Sequence, residues 1–301
     1  MSAYAPDMAT PRVSFEFFPP SDPENEARLR ATVERLAPLG PHFVSVTYGA
    51  DGSTRDRTHR IVEELYERPG LTVAPHLTCI DASREEVLGI ARRYLSLGIR
   101  HIVALRGDAP AGGSGSSRPA DGFQYAVDLV RGLRSIADFQ VTVAAYPEVH
   151  PQAPSAQFDL VNLKRKVDAG ASRAVTQFFF ETDVYLRFRD RCAGAGIDVP
   201  IVPGILPITQ FPQILKFSAR CGAIVPAWLV RRFEGLEHDA DTRRLISAAV
   251  AIEQVQALQR EGVEEFHFYT LNRAELSYAI CHALGVRPPA RPAQRELVAL
   301  G

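Results

Sequence analysis

Residues 13–18 read Val-Ser-Phe-Glu-Phe-Phe, and strand alternation puts Val13, Phe15 and Phe17 on one face and Ser14 with Glu16 on the other. A carboxylate among phenylalanines on an inner strand is costly to ionise, so burial is expected to raise its pKa toward neutrality. That is the property of a general acid working near pH 7. A structural glutamate paired with a cation accounts for the residue equally well. Other polar side chains close apolar runs in the same way: Thr47 after Val44 and Val46, His76, Asp108 beyond Arg106, Tyr146 with Glu148, Gln177, and Asn272 with Arg273. Lysine occurs only at positions 164, 166 and 216, so residues 163–166 (LKRK) gather two of the three beside Arg165. Such a run is either a solvated helix face or a phosphate contact.

Several chemistries are excluded. No lysine falls on a predicted strand, where a Schiff-base aldolase needs one. The eight histidines form no H-x-H or H-E-x-x-H pair, and no G-x-G-x-x-G or P-loop opens a helix. Cys79, Cys192, Cys221 and Cys281 lie far apart, as reduced thiols of a cytoplasmic protein do. With 34 basic and 35 acidic side chains, nothing favours nucleic acid or an anionic membrane as partner. No apolar run reaches the roughly 18 residues of a membrane span, and residues 1–11, expected to be flexible, lack the apolar core of a signal peptide.

The elements that must position these residues repeat as strand then helix. Apolar or β-branched runs begin near Val13, Phe43, Leu71, His101, Gln140, Arg173, Ile201 and Glu265, most about one βα unit apart. Asp22 caps a first helix with Pro23 at its first position, and Leu29, Val33, Leu36 and Ala37 line one face. Ser83 and Glu86 form a capping box ahead of Val87, Ile90, Ala91 and Tyr94, and Gly98 ends that helix. Eight units predict a parallel sheet closed into a (β/α)₈ TIM barrel, in preference to an open doubly wound sheet. Insertions fall at 109–122 and between the seventh and eighth strands, where 211–262 hold extra helices. The chain reads as one catalytic domain over 1–301. Active sites of this fold lie at the C-terminal ends of the strands, where the polar residues gather.

The motifs FEFFPP (15–20), FVSVTYG (43–49), APHLTC (74–79), IVALRGD (102–108), AYPEVHP (145–151), TQFFF (176–180), PGILP (203–207) and FYTLNR (268–273) together resemble bacterial 5,10-methylenetetrahydrofolate reductases. The resemblance runs from about residue 12 to 287. It implies reduction of 5,10-methylenetetrahydrofolate to 5-methyltetrahydrofolate by NADH or NADPH through bound FAD, with ping-pong kinetics, in service of methionine synthesis. It also suggests a homo-oligomer, and the regulatory domain of eukaryotic relatives is not expected.

By this resemblance Glu16 is the acid that assists opening of the folate's imidazolidine ring, and Asp108 lies between flavin and pterin. Gln177, Gln213 and Arg273 match folate contacts, Phe217 an aromatic contact for both substrates, and Thr47 a nicotinamide-side contact. FAD contacts fall on Tyr48, Ala50, His76, Arg106, Gly107, Ala126, Tyr146, His150, Ala153, Asp159, Asn162, Arg165 and Lys166, the last two as a diphosphate clamp. Two other readings stay open at this level: a flavin barrel oxidising an amino acid such as proline, and a folate-binding module without redox activity.

Overall fold

The structure, a computed structural model, describes residues 9–48, 55–107, 119 and 121–289. Asp108 and Ala50 therefore lie outside the described residues. Nine strand segments pair in parallel in the order β7-β6-β5-β4-β3-β2-β1-β9-β8. They are β1 (Arg12–Phe17), β2 (Phe43–Val46), β3 (Val73–Thr78), β4 (His101–Leu105), β5 (Gln140–Ala145), β6 (Arg173–Thr176), β7 (Ile201–Val202), β8 (Gly204–Ile205) and β9 (Glu265–Tyr269). The seventh predicted strand is thus two segments split at Pro203. β7 pairs with β6, and β8 pairs with β9. Proline brings no N–H to a ladder, but its carbonyl still accepts the amide of His267 at 3.0 Å. This broken stave joins the two ends of the sheet, and the fold is a (β/α)₈ barrel with nine strand segments.

Helices form the outer layer where caps and periodicity predict them. In α1 (Pro23–Leu36) the Asp22 carboxylate accepts the Asn25 amide, and Leu29, Thr32, Val33 and Leu36 are buried. In α3 (Arg84–Ser96) the capping box of Ser83 and Glu86 is complete. Val13, Phe15 and Phe17 pack outward with Leu29, Val33 and Leu36 in the larger apolar core. Phe15 is fully buried, which makes truncation there cost about 3–5 kcal/mol. The remaining outer helices on the way round are α2 (Arg55–Tyr66), α4 (Ala126–Ile136), α5 (Ala156–Asp168) and α6 (Thr182–Gly194). Between the broken stave and β9 the chain inserts α7 (Phe211–Cys221), α8 (Ala227–Phe233) and α9 (Ala240–Arg260), and α10 (Glu275–Ala283) follows β9. The inserted helices carry a separate apolar core of Phe178, Ile214, Leu229 and Phe233, which explains why the barrel period breaks there.

Inside the barrel, Ser14 on β1 is in register with Phe43 on one side and His267 on the other. At the N-terminal end Glu265 accepts hydrogen bonds from both Arg12 and Arg173. One layer up, His101 Nε2 meets Thr142 Oγ1 at 2.8 Å. Burial holds that imidazole neutral, with a pKa of about 3. These side chains fill the lower barrel interior, and the strand-lined cavity opens toward the other end. Among the described residues no helix is long and apolar enough to cross a membrane.

Candidate active site

A cavity of about 370 Å³ opens at the C-terminal ends of the strands. Glu16, His76, His267, Tyr269, Thr47 and Gln177 supply most of its polar lining. Strand alternation predicts that Glu16 points inward, and it does. Its Oε2 lies 3.3 Å from Nε2 of His76 on β3 and 3.7 Å from Nε2 of His267 on β9. The His76 contact falls outside the geometry of a conventional hydrogen bond.

The pKa expectation for Glu16 is overturned. Burial does push its carboxyl up, but the two facing imidazoles, His267 foremost, outweigh that push and hold it down at about 2. A carboxylate among phenylalanines in the chain is, in space, a carboxylate between two histidines. Glu16 is the anionic member of a three-residue cluster rather than a standing carboxylic acid. Behind it, Ser14 Oγ lies 2.7 Å from His267 Nδ1 and fixes that ring. The sequence reading did not assign His267 to the site. The alternation of Glu265, His267 and Tyr269 along β9 is the same signal that places Glu16, and it was sufficient to find it.

Loop geometry shapes the rim. Tyr269 crosses the mouth and donates from its hydroxyl to the Thr176 carbonyl at 2.7 Å. Gly204 makes room for this: a Cβ there would stand 2.2 Å from that carbonyl oxygen and 2.6 Å from the tyrosine ring. Asn272 is not part of the mouth lining. Its amide nitrogen donates to the Phe18 carbonyl at 2.9 Å and its Oδ1 accepts the Phe18 amide at 3.1 Å, tying β1 to the loop after β9. Leu271 and Asn272 hold φ of 50° and 52° within that loop, a left-handed pair that costs energy in residues with side chains.

The remaining predicted residues separate into groups. Thr47, Tyr48, His76, Tyr146, Gln177 and Phe217 line the mouth, as do Leu206, Cys221 and Leu271, which had not been singled out. A second cavity of about 230 Å³ beside it is lined by Tyr48, Arg106, Gly107, Ala126, Tyr146, His150 and Lys166. Gly107, at φ 88°, turns the chain where a Cβ would stand 2.6 Å from Ile80. Asp159 accepts the His150 amide at 2.9 Å, and the Ala153 amide closes the same turn on the His150 carbonyl at 2.8 Å. Asn162 is half-buried on α5, and Arg165 is exposed there. Gln213 is exposed in the first turn of α7, away from the mouth lining.

The basic run divides. Lys164 pairs with Asp168 on the outer face of α5. Lys166 turns inward and donates to the Ala144 carbonyl at 2.5 Å. Burial lowers the Lys166 pKa to about 8, with Asp159 pulling partly the other way. A half-buried ammonium on a cavity wall, answered by one carbonyl, has capacity left for an anion. The cavity donor set therefore fits a nucleotide's phosphates, with Arg106 and Lys166 as the cations nearest to hand.

A ring of parallel strands with polar side chains at its C-terminal mouth defines an enzyme-type (β/α)₈ barrel. The chain belongs to the methylenetetrahydrofolate reductase family, whose sequence pattern matches residues 3–285. It is 60% identical over 276 residues to the 5,10-methylenetetrahydrofolate reductases of Salmonella typhimurium and Escherichia coli, covering 92% of this chain and 91% of each relative. An Arabidopsis thaliana protein named methylenetetrahydrofolate reductase (NADH) 1 is 36% identical, covering 91% of this chain and 48% of its own length. Among solved structures, a Clostridium thermocellum protein that binds two copies of 5-methyl-5,6,7,8-tetrahydrofolic acid shares the fold. Its TM-score is 0.61 at 14% identity, over 91% of this chain and 94% of that one.

Proposed function

We propose that the protein reduces 5,10-methylenetetrahydrofolate to 5-methyltetrahydrofolate with NADH or NADPH, using bound FAD, and so supplies the methyl group for methionine synthesis. The observation that carries this reading is the Glu16 carboxylate between His76 and His267 at the floor of the mouth, in a chain of this family. When bound, FAD supplies the hydride carrier that lets the two substrates react in turn. Arg106, Tyr146, His150 and Lys166 would hold it along the second cavity, with Arg165 and Asp159 at its edge. Tyr48 lines both cavities and so joins that wall to the substrate mouth.

Opening the methylene bridge of the folate needs a proton at the departing ring nitrogen. An anionic Glu16 does not carry that proton at rest. It accepts one from the imidazole side and passes it to the substrate, while Ser14 keeps the His267 ring aimed at the carboxylate. Glu16 also stabilises positive charge that develops on the opened substrate, which a neutral acid does not. Gln177 and Phe217 line the mouth and would meet the substrate there. Asp108 follows Gly107 directly, and its proposed place between cofactor and folate rests on the family pattern alone.

An anaerobic absorbance experiment tests this. The purified protein should be yellow, lose its flavin band on adding NADH or NADPH, and recover it on adding methylenetetrahydrofolate. A protein that is bleached but never recovers the band with the folate would sink the substrate assignment.

A further inference from the structure

Glu148 stands in the AYPEVHP motif at 145–151, yet it lines neither the mouth nor the second cavity. It lies half-buried on the loop after β5, and both of its carboxylate oxygens accept one amide, that of Ile224, at 3.1 and 3.0 Å. Burial raises its pKa, and the Ile224 amide offsets part of that rise. Among the described residues no cation pairs with it. Such a carboxylate is costly to keep unless it is hydrogen-bonded. The bond it makes joins segments 76 residues apart.

Ile224 follows the end of α7. That helix closes on Gly222 at φ 74°, where the Gly222 and Ala223 amides both return to the Ser218 carbonyl. The Ile224 amide is the next along the chain, and Glu148 receives it. The turn also sits hard against the same loop: a Cβ at Gly222 would stand 3.0 Å from the Val149 carbonyl oxygen and 3.2 Å from Pro151. Side-chain packing does not hold Ile224, which is 64% exposed. Just before this turn, α7 presents Phe217 and Cys221 to the mouth. The neighbouring α8 has its own anchor, the Trp228 indole N–H donating to Glu181 at 2.7 Å.

We propose that Glu148 is a positioning residue for substrate binding: by holding the Ile224 amide it fixes the C-terminal half of α7, and with it Phe217 as a wall of the mouth. The inference rests on the reading of substrates and cofactor proposed above. The same loop carries Tyr146 and His150 to the second cavity. The turn at His150 has bonds of its own, from its amide to Asp159 and from the Ala153 amide to its carbonyl. Loss of the Glu148 contact therefore frees α7 and leaves the cofactor side in place. A carboxylate acting through its charge is the competing account. Glutamine separates the two, because its carbonyl oxygen accepts the same amide without the charge.

The test is anaerobic steady-state kinetics of the flavin-containing protein with NADH and methylenetetrahydrofolate. Glu148→Ala should raise both KM values roughly tenfold, the equivalent of one lost hydrogen bond, while kcat stays within about twofold. Glu148→Gln should bring both KM values back to within about twofold of the parent. Gly222→Ala keeps the carboxylate but pushes the turn off the loop, and it should reproduce the Glu148→Ala pattern. Flavin content should match the parent in all three. Emission from Trp228, the only tryptophan in the chain, should not shift, because its bond to Glu181 remains. Unchanged KM values in Glu148→Ala, or a Glu148→Gln variant that does not recover them, overturn the positioning role alone. Lost flavin or red-shifted Trp228 emission in Glu148→Ala also overturns it, by making Glu148 a support of the whole insertion. A parent protein that does not turn over the folate overturns the reading on which the inference rests.

Discussion

Ser14 Oγ lies 2.7 Å from His267 Nδ1, so one face of the imidazole is held by β1 while the other faces Glu16 on the same strand. The contact sets the orientation of the ring that faces Glu16. Glu16→Gln keeps the size of the side chain but can neither accept nor deliver the proton. Stopped-flow reduction of the flavin by NADH should stay within a few-fold of the parent, while reoxidation by methylenetetrahydrofolate falls by roughly a hundredfold or more. Equal slowing of both steps would assign Glu16 to support of the cofactor cavity.

Lys166 gives a pH signature for nucleotide binding. Burial holds its pKa at about 8, and a bound diphosphate, being anionic, raises it. Binding therefore takes up a proton above that pH, and affinity should be full below about pH 8 and decline above it. FAD titration of the apoprotein from about pH 7 to about pH 10 checks this. Lys166→Gln should bind more weakly at the low end and lose the decline.

Acid should weaken the fold through two groups of the same sign. His101 has a folded pKa of about 3 against about 6.5 in an unfolded chain. Its neutral native form thus loses stability as pH falls through that window, by up to about 1.4 kcal/mol per pH unit. The Glu16 carboxyl is likewise depressed, to about 2, so its contribution is present above its ordinary value and lost as pH falls below it. Urea midpoints should drop between about pH 6 and about pH 4, and less steeply in His101→Gln. Parallel curves for the two proteins would rule out His101 as the source.

Asn272→Ala removes both bonds to Phe18. It should cost about 1–3 kcal/mol, since the Phe18 amide and carbonyl each lose a partner. Thermal melting measures the loss. Because the loop carries Leu271 into the mouth lining, the KM for the folate should rise more than that for the nicotinamide nucleotide.

Gly204→Ala places a methyl group against the Thr176 carbonyl and the Tyr269 ring. The ring must swing into the mouth and its hydroxyl bond to Thr176 must break. Destabilisation of about 1–3 kcal/mol is expected, together with weaker folate binding by titration. Unchanged affinity would mean that the mouth absorbs the displaced ring.

The chain order of strands and helices was legible because periodicity and caps are local: Asp22, the Ser83–Glu86 box and the alternation of Phe15, Glu16 and Phe17 act within a few residues. Alternation also settled that Glu16 faces inward. What it could not settle was what Glu16 faces. His76 comes from β3 and His267 from β9 at the far end of the barrel's sequence, and the paired sheet brings both to one oxygen. Local burial alone argued for a raised pKa; the field of two distant imidazoles reversed the sign. The same limit explains the basic run, where one turn of α5 sends Lys164 to solvent and Lys166 to a cavity. It explains Asn272, read as a mouth residue and found as a clamp. A cleft between α1, α9 and the start of α10 is the extreme case, since Arg28 and Arg35 on α1, Arg243 and Arg244 on α9 and Arg273 on the loop before α10 line it together, yet look like ordinary solvated positions along the chain. Local preference fixes elements and facing, because it is decided by neighbours in sequence. Charge environment is a sum over neighbours in space, and only the closed barrel determines who they are.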